Sequence, residues 1–122
     1  MTDISNRADI DKLIEAFYAK IMKDSEIGHF FTEVVQLDLS HHLPKIADFW
    51  ETAIFNTAKY KGNPLIPHIN LNAKSPMTKV HFDQWVKVFC ETIDNFFQGN
   101  RAELAKQRAH SIATVMLIKI SQ

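Results

Sequence analysis

The sequence is short of glycine, of cysteine and of net charge. It has 3 glycines and 1 cysteine among 122 residues, and 14 Lys and Arg balance 14 Asp and Glu. So few glycines argue against the tight turns of β-hairpins and favour helices. A single cysteine excludes an intrachain disulfide and is typical of a reducing compartment. A neutral chain lacks the basic surface of a nucleic-acid binder or of a protein that binds anionic membranes.

Long apolar runs and common catalytic motifs are also absent. No stretch approaches the roughly 18 apolar residues that indicate a transmembrane helix. The N-terminus MTDISNRADIDKL lacks the apolar core of a signal peptide, so we expect a cytoplasmic protein. The sequence has no Cys/His zinc spacing, no glycine-rich phosphate loop and no nucleophile elbow. Its length predicts a single domain over residues 1–122.

Apolar residues recur at helical spacing in four segments, and no segment alternates as a strand would. The first two segments span about 7–23 and about 40–57. The third opens with Ser75 and Pro76 and stops at Gly99. The last begins with Asn100 and Glu103, which are spaced like a capping box. The pattern therefore predicts the all-α class.

Histidine is the unusual residue, with 6 in the chain. His68 lies in an apolar, proline-bounded stretch over 58–76, where a rigid segment could present an imidazole to haem iron. The alternative is an ordinary loop histidine. Helical phase places His42 on the apolar face of its helix and His41 on the polar face.

Other candidates have plain structural interpretations. Tyr18 and Trp85 fit an apolar core, although their O–H and N–H groups need hydrogen-bond partners. One His29–Glu33 pair is weak support for a di-iron bundle, because such bundles need several pairs. The remaining residues in this group fit surface, boundary or buried positions: His81, His110 and Cys90.

Five motifs, in order over roughly residues 8–118, resemble those of the truncated haemoglobins. They are AFYAKI with Tyr18, IGHFF with Phe31, HLPKIADFW with His42, YKGNPLIPHINL with His68, and FDQWVKVF with Trp85. The first two groups of that family have paired glycines at helix corners. This chain has only isolated glycines together with His42, which is similar to the third group.

The resemblance implies a globin-like two-over-two helical sandwich that encloses haem b. It makes His68 the iron ligand and places Tyr18, His42 and Trp85 on the distal side. The implied apolar walls are Phe17, Phe31, Ile46, Phe49, Trp50, Leu65, Leu71, Phe82 and Val86. Lys45 and Lys61 are candidates for pairing with the haem propionates. Pro44 leaves the helix start open between Ser40 and Leu43, and a start at Leu43 would let His42 act as a gate.

The resemblance also implies a small-molecule function, with dioxygen, nitric oxide, carbon monoxide, cyanide or peroxide as ligand. Two distal donors would slow ligand release too much for oxygen delivery, which favours redox chemistry or sensing. A reaction like that of a nitric oxide dioxygenase or a peroxidase would need a reductase partner. Two alternatives remain open: a pure oxygen binder or sensor, and a haem-free helical interaction module.

Overall fold

The computed structural model describes residues 1–25, 27–28, 39–55 and 78–120, with the backbone alone at 39–42 and at Ile120. These residues form four helices and no strand, which confirms the all-α prediction. The helices are α1 (Arg7–Ile21), α2 (Leu39–Phe55), α3 (Lys79–Phe96) and α4 (Asn100–Ile120). Within the described ranges, no helix is both long enough and apolar enough to cross a membrane.

Helix α1 follows its sequence pattern closely. Its N-cap is Asn6, whose side chain accepts a hydrogen bond from the Asp9 N–H at 3.0 Å. One face of the helix is buried, as the three-and-four spacing predicted: Ile10, Leu13, Ile14, Phe17, Tyr18 and Ile21. The turn that follows is tight, since a Cβ on Gly28 would lie 2.8 Å from the carbonyl oxygen of Met22. Gly28 therefore allows the chain to turn back close to the end of α1.

Helix α2 begins at Leu39, so Pro44 lies inside it and not in its first turn. A proline cannot donate to the carbonyl one turn earlier, here that of Ser40. Arg7 of α1 spans this region, because its Nη2 donates to the Pro44 carbonyl at 3.3 Å and its Nη1 to Asp48 at 2.7 Å. The helix therefore begins before His42, whose backbone is helical, and the role of the His42 side chain stays a prediction.

The four helices pack as two pairs. Helix α1 contacts α2 and α3, and α4 contacts α3 and α2. Each helix therefore touches two others, which is the two-over-two arrangement that the resemblance implied. The centre of the sandwich is apolar, and its fully buried side chains include Phe17, Phe89, Leu13 and Ile93.

Helix α3 begins at Lys79. Its N-cap is Thr78, with extended backbone, whereas the predicted opening at Ser75 and Pro76 lies outside the described residues. The half-buried His81 completes the cap, because its Nδ1 accepts the Thr78 N–H at 3.0 Å. Histidine here performs the part that Glu or Gln has in a capping box. His81 is thus a boundary residue, as expected.

The start of α4 is capped from the other end of the chain. The Asp3 carboxylate accepts hydrogen bonds from the N–H groups of Arg101 and Ala102, both at 2.9 Å. The predicted capping box of Asn100 and Glu103 is therefore wrong. Asn100 is already helical, and Glu103 pairs with Lys106 at 2.8 Å. The N-terminal segment is thereby fastened to the junction of α3 and α4.

Two further features hold that segment in place. Ile4 is fully buried, and the Gln98 N–H donates to the Thr2 carbonyl at 3.0 Å. Gly99 has φ of +146°, and a Cβ there would lie 2.6 Å from Asp3 Cγ. Burial raises the pKa of Asp3, but hydrogen bonds from the backbone N–H groups of Arg101 and Ala102 outweigh it and lower the pKa overall.

We predict that Asp3→Ala lowers the free energy of unfolding by about 1 kcal/mol at neutral pH, the usual effect of losing a helix cap. Chemical denaturation followed by circular dichroism measures this change. Asp3→Asn is the matched control, because it keeps an acceptor oxygen without the charge and should lose less. Equal stability of Asp3→Ala and the wild type would contradict the capping role.

The same contact gives a pH dependence. Since folding lowers the pKa of Asp3, its stabilisation is present above the unfolded value of about 3.9 and is lost as pH falls through the folded value. The stability difference between the wild type and Asp3→Ala should therefore shrink as the solution is acidified below about pH 4. Asp3→Asn should show no such titration. A difference that stays constant through this window would contradict the electrostatic part of the interaction.

Candidate functional site

Six aromatic side chains from three helices meet in the sandwich. We call them the aromatic cluster, which consists of Phe17 and Tyr18 on α1, Phe49 and Trp50 on α2, and Trp85 and Phe89 on α3. Five of the six were identified from the sequence as candidate site residues. The helices therefore bring residues from separate motifs into one place.

Phe89 is the fully buried centre of the aromatic cluster. Its ring centroid lies 4.6 Å from that of Trp50 at 25° and 5.5 Å from that of Trp85 at 1°, so it stacks on both indoles. The ring of Phe17 meets it edge-on at 5.1 Å and 88°. Both geometries are favourable aromatic arrangements. One side chain of α3 therefore contacts α1 and α2 as well as its own helix.

Tyr18 has its phenol inside the protein, with 7% of the residue exposed. Its ring packs edge-on against Phe17 at 5.3 Å and 79°. Burial raises the pKa of Tyr18 well above its ordinary value, because the charged phenolate would lose its hydration. Tyr18 therefore keeps its O–H, and with it a hydrogen-bond donor, at neutral pH.

Trp85 is half-buried, and its indole meets the Phe17 ring edge-on at 5.8 Å and 88°. Tyr18 contacts the same Phe17 ring, so the two predicted distal residues share one aromatic neighbour although they come from different helices. An indole N–H can only donate a hydrogen bond. Tyr18 and Trp85 thus contribute one O–H and one N–H group beside the same apolar ring.

The described wall residues fall into two apolar groups. Trp50 is buried in the main core, and Ile46 and Phe49 pack against that core from half-buried positions on α2. Phe82 and Val86 on α3 are buried in a second cluster with Ala113 and Met116 of α4. Trp85 packs against both groups and joins them.

Several predicted residues lie outside the described part of the chain. They are Phe31, Leu65, His68 and Leu71, the His29–Glu33 pair, Lys61, and the side chain of His42. Their roles stay predictions. Lys45 and His110 are exposed, and Cys90 is half-buried, with burial raising the pKa of its thiol. The structure describes no group of three or more His, Cys, Asp or Glu side chains able to hold a metal ion.

Phe89 is the residue that sequence reasoning missed as part of the site. It was identified only as a member of the apolar stripe on α3. A signal for its role was available, because Phe89 follows Trp85 by four positions and such pairs meet on a helix surface. The contact with Trp50 had no such signal, since it joins two helices.

The fold and the site define a small helical sandwich with an aromatic interior. No protein-family model matches the chain. The chain is similar to the group 3 truncated hemoglobin ctb of Campylobacter jejuni, with 30% identity over 112 residues that cover 89% of this chain and 86% of that protein. The crystal structure of the group III truncated hemoglobin from that organism superposes with a TM-score of 0.85 and 27% identity. The superposition covers 98% of this chain and 95% of the chain in that crystal structure.

A second solved structure shares the fold. The 2/2 hemoglobin of Synechococcus sp. PCC 7002, in the cyanomet state and with covalently attached heme, has a TM-score of 0.71 at 22% identity. The superposition covers 92% of this chain and 85% of the chain in that structure. The chain belongs to the truncated haemoglobins, and within them to group III.

We predict that the Tyr18 phenol stays un-ionised at about pH 10, where an ordinary tyrosine is half-ionised. Absorbance titration of tyrosinate in the wild type and in Tyr18→Phe measures this directly. The chain has 2 tyrosines, so the substitution leaves a single phenol as the reference. If the wild type has one more phenol that titrates near pH 10 than Tyr18→Phe has, Tyr18 is accessible to solvent, contrary to the structure.

The raised pKa also sets the sign of the effect on stability. Folding disfavours the charged form of Tyr18, so its contribution is complete below about pH 10 and is lost as pH rises towards the folded pKa. The wild type should therefore lose stability relative to Tyr18→Phe as pH is raised above about 10.

Proposed function

We propose that the protein binds haem and uses Tyr18 and Trp85 to hold a small ligand at its iron. The observation that carries this proposal is the placement of both donors against the single ring of Phe17. Membership of the truncated haemoglobins supports it, and one structural neighbour contains covalently attached heme. Among the described residues, the polar atoms of the aromatic cluster are one phenol oxygen and two indole nitrogens.

The side chains of this region fit a flat, largely apolar cofactor. Leu43, Ile46 and Phe49 are half-buried on α2, and Trp85 is half-buried on α3. These apolar side chains pack against the core on one side and keep accessible surface on the other, so a cofactor laid against them would bury more of it. The neutral O–H and N–H donors of Tyr18 and Trp85 suit a ligand that carries partial negative charge.

We infer that His68 would ligate the haem iron and that the walls around the haem would be those named from the sequence: Phe17, Phe31, Ile46, Phe49, Trp50, Leu65, Leu71, Phe82 and Val86. We infer that the cofactor is haem b, because a chain with a single cysteine cannot form the Cys-x-x-Cys-His motif that attaches c-type haem. When bound, haem would supply an iron able to accept dioxygen, nitric oxide, carbon monoxide, cyanide or peroxide. Exclusion of water by the aromatic walls strengthens every hydrogen bond made within them.

The two donors determine how long a ligand stays. A hydrogen bond to a charged or strongly polarised group contributes about 1.5–3 kcal/mol. Two such bonds, from Tyr18 O–H and Trp85 N–H, would slow release by roughly 10²–10⁴-fold. Release that slow is unsuited to oxygen delivery. It favours redox chemistry on dioxygen, nitric oxide or peroxide with a reductase partner, or ligand sensing.

The two alternatives differ from this proposal in observable ways. A pure oxygen binder or sensor would bind ligand but form nitrate from nitric oxide no faster than free haem. A haem-free interaction module would remain colourless when haemin is added. Absorption spectra of the purified protein, oxidised and reduced, with and without carbon monoxide, separate the second alternative from both haem hypotheses.

We predict that His68→Gly loses haem or requires added imidazole to keep it, because the substitution removes the proposed iron ligand and leaves space for a free one. The Soret band after reconstitution measures haem retention. His110→Ala is the matched control, since His110 is exposed on α4 and should have no part in haem binding. An unchanged spectrum in His68→Gly would overturn the ligand assignment.

We predict that Trp85→Phe speeds dioxygen release by about 10–100-fold, the effect of one lost hydrogen bond to a polarised ligand. Stopped-flow displacement of dioxygen by carbon monoxide measures the rate. Phenylalanine keeps an aromatic ring at the position and removes the N–H donor together with the second ring of the indole. An unchanged release rate would remove Trp85 from the distal role and leave Tyr18 as the single donor.

A further inference from the structure

We propose that Phe89 is the positioning residue for Trp85, and that its ring fixes the direction in which the indole N–H points. This inference rests on the proposed function for its effect on ligand binding. The stacking itself is a property of the protein alone. Phe89 and Trp85 are parallel within 1° at a centroid distance of 5.5 Å.

Burial alone does not fix Trp85. The residue is only half-buried, so part of its indole surface meets no core side chain. Two ring contacts constrain it instead, with Phe89 parallel to it and Phe17 nearly perpendicular at 88°. A parallel contact and a perpendicular contact together restrict rotation about both side-chain torsions.

Phe89 can perform this task because it is itself immobilised. It has 0% exposure, and its ring is held by Trp50 of α2 at 4.6 Å and by Phe17 of α1 at 5.1 Å. Side chains in such close-packed surroundings occupy one rotamer. Phe89 therefore links the orientation of Trp85 to the positions of α1 and α2.

The orientation matters because an indole N–H lies in the plane of its ring. A hydrogen bond weakens steeply when the donor points away from the acceptor. Rotation of the Trp85 plane would redirect the N–H and weaken the bond without removing the donor. Phe89, which does not itself reach a ligand through a polar atom, would in this way influence ligand release.

The test uses four proteins: wild type, Trp85→Phe, Phe89→Leu and the double variant. Leucine keeps an apolar side chain at the site and removes the ring. In haem-loaded protein we expect Phe89→Leu to speed dioxygen release by about three- to tenfold, less than loss of the donor itself. In the Trp85→Phe background the same substitution should have no further effect, because the group through which it acts is gone.

Two spectroscopic readouts accompany the rates. The infrared C–O stretch of the carbon monoxide complex should shift in Phe89→Leu in the same direction as in Trp85→Phe. Near-ultraviolet circular dichroism isolates the signal of Trp85 by subtraction. The spectrum of Trp85→Phe is subtracted from that of the wild type, and the spectrum of the double variant from that of Phe89→Leu. That signal should fall at least about twofold in the Phe89→Leu background, since a freely rotating ring has little dichroism.

Phe97→Leu is the matched control. Phe97 is 5% exposed, follows the same helix, and its ring contacts Phe96. This control also loses a buried ring, and it should leave the C–O stretch and the dichroism of Trp85 unchanged. Phe89→Met is the second variant if far-ultraviolet circular dichroism shows that Phe89→Leu has lost its helices, since methionine fills irregular apolar space well.

The possible results distinguish a failure of the positioning role from a failure of the proposed function. An unchanged Trp85 dichroism in Phe89→Leu, or an equal effect on release in both backgrounds, would overturn the positioning role. A wild-type protein that takes up no haem would defeat the proposed function instead. In that case the dichroism comparison still decides whether Phe89 orients Trp85.

Discussion

The buried ring of Phe89 joins three of the four helices. This one side chain has no exposed surface and touches Phe17 of α1, Trp50 of α2 and Trp85 of its own helix. Protein interiors are packed as densely as molecular crystals, so the position of each of these rings limits the others. The relative placement of three helices and the geometry of the proposed ligand donors are therefore set by the same contacts.

Helical periodicity predicted the interior well and the helix ends poorly. Every apolar residue assigned to the inner face of α1 is buried, because a 3.6-residue period reports directly which side of a helix faces the core. The caps were not predictable in the same way. Asp3 caps α4 across a separation of 98 residues, and the N-cap of α3 is Thr78, whose N–H donates to His81. The local signal of Asn100 and Glu103 was misleading, because a carboxylate that tertiary structure brings to the start of α4 accepts the N–H groups of Arg101 and Ala102.

Most members of the aromatic cluster could be identified from the sequence, but the contacts among them could not. Resemblance identified Tyr18 and Trp85, and the structure places both beside Phe17. The same reasoning left Phe89 as one apolar residue among several, since an apolar stripe shows that a side chain is buried but not what it meets. Stacking between Phe89 and Trp50 depends on how α2 lies against α3, which no spacing within either helix encodes. Positioning residues are for this reason harder to find than donors.

Arg7 of α1 makes polar contacts with α2, whereas the aromatic cluster makes apolar ones. Its guanidinium binds the Pro44 carbonyl and Asp48 and lies 3.6 Å from Glu51, which is only 9% exposed. An exposed ion pair contributes little, but removing the cation would leave the buried Glu51 carboxylate without its opposite charge. Because His42 lies in the helical turn just before Pro44, a contact that holds Pro44 also limits the backbone movement open to His42. Gating by His42 would then have to come from side-chain rotation and not from unwinding of α2.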